Sequence, residues 1–277
     1  MARSNPITMT FPPFAGTVRM LILANVTVFF AVAILQWLAP ALAHTLVALC
    51  LLHPASVARA EIWQLFTYSF VHFGIFDILF AMLTLWFCGS MLEGAYGHRW
   101  LSELYFASVI GGALVATALS FTKLLTLSPD TAIGGGAWAG VFGLLVAIGL
   151  RFGDQEFLLF PLPISIRAKY LVAIYILIEV AVLLKASDAF NALLQLSGGF
   201  CGFLYVRYAP RRGMALGFTE RYFGLRNAYY RAKRRRAARK FEVYMGKQGR
   251  QVKFDEEGRY IDPDSTPKDP NDKRWMN

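Results

Sequence analysis

Gly134-Gly135-Gly136-Ala137-Trp138-Ala139-Gly140-Val141-Phe142-Gly143-Leu144-Leu145 is an uncharged stretch inside a longer apolar run. Gly136, Gly140 and Gly143 stand four and three residues apart. On a helix they share one face, and a face without side chains lets another helix backbone approach closely. Read alone, the stretch is a tightly packed transmembrane helix, expected at about 134–150. A large indole such as Trp138 is most simply explained by burial.

Outward from this helix the composition points the same way. Of 277 residues, 56% are apolar and 17% charged, and the mean hydropathy is +0.44. That balance excludes an ordinary soluble domain of this length. Several near-uncharged runs approach the ~20 residues that a helix needs to cross a bilayer. The expected fold class is an all-α polytopic membrane protein with six spans, at about 17–40, 69–92, 100–122, 134–150, 168–185 and 189–206. The segment 41–66 carries Pro40, His44, His53, Pro54, Arg59 and Glu61 in or beside it; it is too interrupted for a plain span and is expected at or partly in the membrane. Residues 1–16 lack the apolar run of a cleavable signal peptide and read as a short cytoplasmic arm.

Charge divides the chain. From Arg207 onward there are 19 basic and 9 acidic residues, against 9 of each before it. Within the membrane part, Arg3, Arg19, Arg99, Arg151, Arg167 and Lys169 fall on one side and only Arg59, Lys123 and Lys185 on the other. Lys and Arg mark the cytoplasmic side, so both termini are expected there, which an even number of spans satisfies. The expected setting is a bacterial plasma (inner) membrane.

Four blocks, in order on successive spans, resemble the rhomboid family of intramembrane serine proteases over roughly 17–206. Ile62-Trp63-Gln64-Leu65-Phe66-Thr67-Tyr68 looks like the family's Trp-Arg segment, with Gln64 for the arginine. His72 through Ala81 is similar to the pattern His, four residues, His, three residues, Asn; His72 matches, Asp77 stands in the second place and Ala81 in the third. Gly89, Glu93 and Gly97 match the Gly-x3-Glu-x3-Gly exit of that span. Gly136-Ala137-Trp138-Ala139 lies where the family has Gly-x-Ser-Gly, with Phe142 four residues on. Gln195-Leu196-Ser197-Gly198 and Gly202 lie where it has His-x2-Gly-x3-Gly. Trp63, His72, Gly89, Glu93, Gly136, Gly140, Phe142, Gly143, Gly198 and Gly202 carry the scaffold, while Trp138, Gln195, Asp77 and Ala81 occupy the chemical positions.

The resemblance implies a rhomboid-like bundle without its chemistry. A hydroxyl nucleophile within reach of a base is what such a site needs. Indole offers one N–H donor and no nucleophile. A carboxamide does not shuttle protons near neutral pH, so Gln195 cannot act as the base. An ionised Asp77 would repel a developing oxyanion, and Ala81 offers it no hydrogen bond. No rewired dyad suggests itself, since Ser197 points away from Gln195 on the same helix. Inactive relatives imply binding of transmembrane helices without cleavage. The competing readings are an active intramembrane serine protease with a rewired site, and a subunit of a membrane complex. No cofactor or metal is implied; Cys50, Cys88 and Cys201 lack metal spacing.

Two ionisable groups fall inside spans. Such groups face protein or water because a mid-bilayer charge costs roughly 2.5–3.5 kcal/mol. Asp77 reads either as the polar floor of the vestigial site or as a hydrated helix-end carboxylate. Glu179 reads as a contact to a partner helix or as a hydrogen-bonded acid inside the bundle. Glu93 is expected to bond backbone at the end of span two.

In the tail, 219–245 reads as a basic helix with interleaved aromatics, carrying Arg221, Arg226, Arg231, Arg234, Arg235, Arg236, Arg239 and Lys240. Three readings compete: adsorption to anionic lipid, binding of nucleic acid or ribosomal RNA, and a purely topological role. Residues 251–254 and 259–261 around Asp255-Glu256-Glu257-Gly258 suggest a weak hairpin. From Asp262 the prolines and polar residues read as an extended end, and Trp275 as a residue that docks on a partner or lies loose.

Overall fold

The structure is a computed structural model and describes residues 12–122, 127–159, 164–185, 188–209, 214–249, 252–255 and 260–261. The expected extended end, Trp275 and the arm 1–11 lie outside these residues. Two compact units are present, Met1–Met214 and Ala215–Asn277.

In the first unit α1 (Gly16–Leu38) is followed by α2 (Pro40–Cys50), α3 (Pro54–Ala58), α4 (Gln64–Thr67) and a single 3-10 turn at Tyr68–Phe70. Then come α5 (Ile75–Tyr96), α6 (His98–Phe121), α7 (Trp138–Arg151), α8 (Ala168–Lys185) and α9 (Ala189–Tyr208). Four of these helices, α1, α5, α6 and α9, are long and apolar enough to cross a membrane. The interrupted segment 41–66 is a run of short helices: Pro40 and Pro54 each open one, at the first helical position where a missing N–H costs nothing.

The centre of the bundle is α9, packed on α6, α7 and α8; α5 packs on α1, α6 and α7. In α6 the buried residues Trp100, Leu101, Leu104, Tyr105, Ser108, Gly112 and Ala116 recur at three- and four-residue intervals, which puts them on the inward face. In α8 only Ala168 and Val172 are buried. Its exposed Ile174, Leu177, Ile178 and Leu184 form the surface expected of a helix bathed in hydrocarbon.

Two boundaries depart from the sequence reading. Helix α5 begins at Ile75 rather than near 69, because Gly74, with φ −169° and ψ 169°, is extended at its N-cap; His72 therefore precedes the helix. Helix α7 begins at Trp138 rather than 134, so Gly136 does not share a helical face with Gly140 and Gly143. Gly136 has φ +92°, a conformation that a side chain rarely adopts. The fold is also not purely helical: β1 (Glu156–Leu159) and β2 (Ile164–Arg167) pair antiparallel between α7 and α8, from Glu156 opposite Arg167 to Leu159 opposite Ile164. Just before β1, Lys169 donates to Asp154 at 2.7 Å and holds that exposed carboxyl below its ordinary value.

The first turn of α1 has no capping side chain of its own. Glu93, at the far end of α5, supplies it: Oε1 accepts from the Thr17 amide at 2.8 Å and Oε2 from the Val18 amide at 3.1 Å. A carboxylate there also suits the positive end of the helix dipole. Gly16, at φ +60°, leaves room for it, since a Cβ would run into the Glu93 carboxylate.

The second unit holds α10 (Met214–Lys247), longer at both ends than the expected 219–245. A two-residue hairpin follows, β3 (Lys253–Phe254) with β4 (Tyr260–Ile261). The rings of Phe241 and Phe254 meet edge to face at 6.2 Å, as do those of Phe254 and Tyr260.

Candidate functional site

The stretch before α7 runs extended through the bundle, and its backbone groups are taken up by three other segments. Leu52 and Gly134 exchange both hydrogen bonds at 2.9 Å. The Gly135 amide donates to Asn191 Oδ1 at 3.2 Å, and the Gly136 amide to the Tyr68 carbonyl at 3.0 Å. Non-helical backbone at membrane depth is tolerated only where protein or a cavity satisfies it, and here protein does so.

This stretch delivers Trp138 to the first turn of α7. Its Nε1 donates to Oδ1 of Asp77 at 2.6 Å, and Oδ2 of the same carboxylate accepts from the Phe73 amide at 3.2 Å. A Cβ placed on Gly136 would lie 3.6 Å from the indole and 3.7 Å from the carboxylate. Asp77 is thus both a helix-start carboxylate closing the loop before α5 and the polar partner of Trp138.

Ala81, one turn along α5, is fully buried. Gln195 lies on α9 one turn before Gly198, and Gly198 is pressed against Ala139, the neighbour of Trp138. The positions 138 and 195 therefore lie on facing helices within a turn of the same level. The Gln195 side chain is half-buried and hydrogen-bonds no other described residue. His72 lies outside this pair of helices: both its ring nitrogens are buried without a hydrogen-bond partner, beside a small cavity of about 170 Å³ lined also by Phe29, Val32 and Gln36 of α1. Trp63 donates to the Leu49 carbonyl at 3.0 Å and ties α4 to α2.

The glycines set the helix spacing. A Cβ on Gly202 would lie 2.6 Å from the Gly143 Cα, and one on Gly112 would lie 2.8 Å from the Gly198 Cα. Gly140 is filled by the Tyr105 ring, and Gly89 by Val18. Phe142 is buried, edge-on to Tyr175 at 6.5 Å. Glu179 is half-buried on α8 and makes no hydrogen bond to another described residue. In the tail, Arg226, Arg231, Arg234, Arg235, Arg236, Arg239 and Lys240 are exposed along α10, and Arg221 falls on the same helix.

Some residues that complete the site escape sequence reading. Asn191 and Tyr68 hold the loop before α7, and Tyr205 donates to Glu103 at 2.8 Å between α9 and α6. An asparagine in the first turn of an apolar span is the one signal that could have marked Asn191.

With this geometry in place, residues 19–223 match the family described as "Eukaryotic integral membrane protein (DUF1751)". Among individual proteins, the chain is 36% identical over 123 residues to Inactive rhomboid-related protein 2 of Caenorhabditis elegans, covering 42% of this chain and 32% of that protein. It is 29% identical over 156 residues to Rhomboid-like protein 19 of Arabidopsis thaliana, covering 54% and 49%. It is 31% identical over 108 residues to Rhomboid protease GluP of Bacillus subtilis (strain 168), covering 39% and 20%. The chain thus spans half or less of the length of these relatives. They come from eukaryotes and from a bacterium, beside a family whose description is eukaryotic.

Proposed function

From its membership of the family described as eukaryotic integral membrane proteins (DUF1751), to which this rhomboid-like chain belongs, we propose that the protein binds transmembrane helices and does not cut them. The observation that carries this reading is the Trp138–Asp77 hydrogen bond. The indole stands where the resemblance calls for a nucleophile, and its only polar atom is engaged by the residue at an oxyanion-stabilising position. Gln195, at the base position, adds a second departure that no proton transfer survives.

Helices α5 and α8 flank α7 and each packs on it, with no substantial packing between the two. A client helix entering from the bilayer would lie against Leu79 and Phe80 on one side and Leu177 and Ile178 on the other, all exposed. Lipid tails are as apolar as these side chains, so shape fit and any polar group, such as Glu179, would give selectivity. In this reading α1, α5, α6, α7, α8 and α9 are the six spans. Helix α7, ~21 Å long at 14 residues, starts below the outer surface. Both termini, with the basic tail, lie on the cytoplasmic side against an anionic membrane surface. The bacterial plasma membrane remains the setting expected from sequence.

The test is a fluorophosphonate serine-hydrolase probe on the purified protein beside a Trp138→Ser/Gln195→His double variant, with photocrosslinkers at Leu79 and Leu177. Absence of labelling together with crosslinks to many apolar helices supports the proposal. Labelling of the unaltered protein overturns it in favour of an intramembrane serine protease. Crosslinks to a single stoichiometric protein replace client binding by a role as a complex subunit.

A further inference from the structure

The basic tail is organised into two different faces. Arg231, Arg235 and Arg239 recur every four residues and form one stripe, with Arg236 at its edge. Ala228 and Ala232 lie between these arginines and leave a concavity of about 430 Å³ flanked by guanidinium groups. About 90° around the helix from the stripe lie Arg234, Ala238, Phe241 and Met245. These face Val252, Phe254 and Tyr260 of the β3–β4 hairpin across a shallow groove, with Ala238 only 7% exposed.

An amphipathic helix that sinks into a bilayer needs a free apolar face to bury among the acyl chains. Over the last three turns of α10 that face is turned towards the chain's own hairpin. Phe241 is still 47% exposed there, and Tyr229, Tyr230, Val243 and Tyr244 are exposed elsewhere on the helix; on the stripe itself what faces outward is arginine, whose planar fork fits phosphate oxygens in pairs. Along α10 there are 10 basic and 2 acidic residues. Five residues, 209–213, separate it from the end of α9, a chain reach of at most ~20 Å. The start of α10 is thereby held near a span, and the stripe begins 17 residues, ~26 Å of helix, further on, a span-adjacent polybasic segment of the kind that binds anionic headgroups.

We propose that the arginine stripe of α10 grips the phosphates of anionic phospholipid headgroups by charge, and that the β3–β4 hairpin keeps the Ala238–Phe241–Met245 face from inserting by lying against it. The inference rests on the reading of the tail as a cytoplasmic membrane-surface segment. Each basic residue near an anionic surface is worth roughly five-fold in association. Loss of the three stripe arginines then weakens it by about a hundred-fold.

The experiment uses the full-length protein in nanodiscs of phosphatidylcholine with and without phosphatidylglycerol, read by hydrogen exchange of the α10 amides. The expected result is protection of 228–239 only in the anionic discs, abolished by 0.5 M NaCl and by R231Q/R235Q/R239Q. A Phe254→Ser/Tyr260→Ser variant, which frees the apolar face, is expected to make the protection resistant to salt. Equal exchange in both discs overturns the membrane-surface reading itself. Anionic-specific protection that survives 0.5 M NaCl in the unaltered protein leaves that reading standing and overturns charge-only binding. Loss of the disc-dependent protection on adding equimolar phosphate as an RNA oligonucleotide assigns the stripe to nucleic acid instead.

Discussion

The indole Nε1 of Trp138 and the carboxylate of Asp77, sixty-one residues apart in the chain, are joined at 2.6 Å across the start of two helices. In the proposed function one side chain stands in the place of a nucleophile and the other at an oxyanion-stabilising position, and each is the other's hydrogen-bond partner. The bond ties the start of α7 to the start of α5.

Asp77→Ala leaves both the indole N–H and the Phe73 amide without this acceptor. A loss of ~1–3 kcal/mol is expected, since an unpaired donor away from water costs that much. Asp77→Asn keeps an acceptor and costs less. In a Trp138→Phe background the Asp77→Ala loss shrinks, and a double-mutant cycle of unfolding in detergent gives the coupling. A cycle that sums to zero would show that the bond contributes nothing.

Glu93→Ala removes, among the described residues, the only side chain that caps α1. A loss of ~1–2 kcal/mol is expected, with faster hydrogen exchange at the Thr17 and Val18 amides. Glu93→Gln retains an acceptor and falls between. Unchanged exchange at these two amides would contradict the capping role.

Gly198→Val places a Cβ 2.9 Å from the Ala139 Cα and must push α9 off α7. Overpacking of this kind costs ~1–3 kcal/mol or more, read as lowered Tm and poor recovery in detergent. Gly94→Ala is the contrast: nothing lies within 4 Å of the added carbon, and a helix interior gains up to ~1 kcal/mol from alanine. Equal effects at the two positions would show that close helix approach is not the cause.

Ala60 has φ +74°, following α3 in the left-handed position that glycine favours. Ala60→Gly is expected to raise stability by ~0.5–1 kcal/mol, because relief of the steric cost exceeds the added freedom of the unfolded chain. A lower Tm in this variant would mean that entropy outweighs strain here.

The helical membrane character, four spanning helices and the rhomboid-like motif blocks were legible because hydrophobicity and small-residue spacing are local properties. The course of 134–137 was not. Its glycines suit a packed helix face as well as a left-handed turn, and only the partners Leu52, Tyr68 and Asn191 decide between them. His72 was likewise read onto α5, because the extended Gly74 that ends the loop before the helix leaves no mark in an apolar run. Asp77 and Trp138 were each legible as departures from a family pattern; their bond was not, since it depends on how α5 and α7 are set against one another. Strand β1 was missed because the short apolar run from Phe157 into the prolines lacks the alternation that marks a half-buried strand, and β2, Ile164-Ser165-Ile166-Arg167, alternates over only four residues.

A helix of 14 residues completed by an extended stretch has a consequence for how the protein is made. Helix α7 is too short to be recognised as a stable insert by itself. The amides that precede it find acceptors on Tyr68, already synthesised, and on Asn191, which follows about fifty residues later. Its N-terminal end cannot be finished until α9 has formed and docked. Biogenesis of this region therefore cannot proceed helix by helix from the ribosome: α7 waits, partly lodged, for its successor, and a chain truncated before residue 191 would leave it open to quality-control proteases.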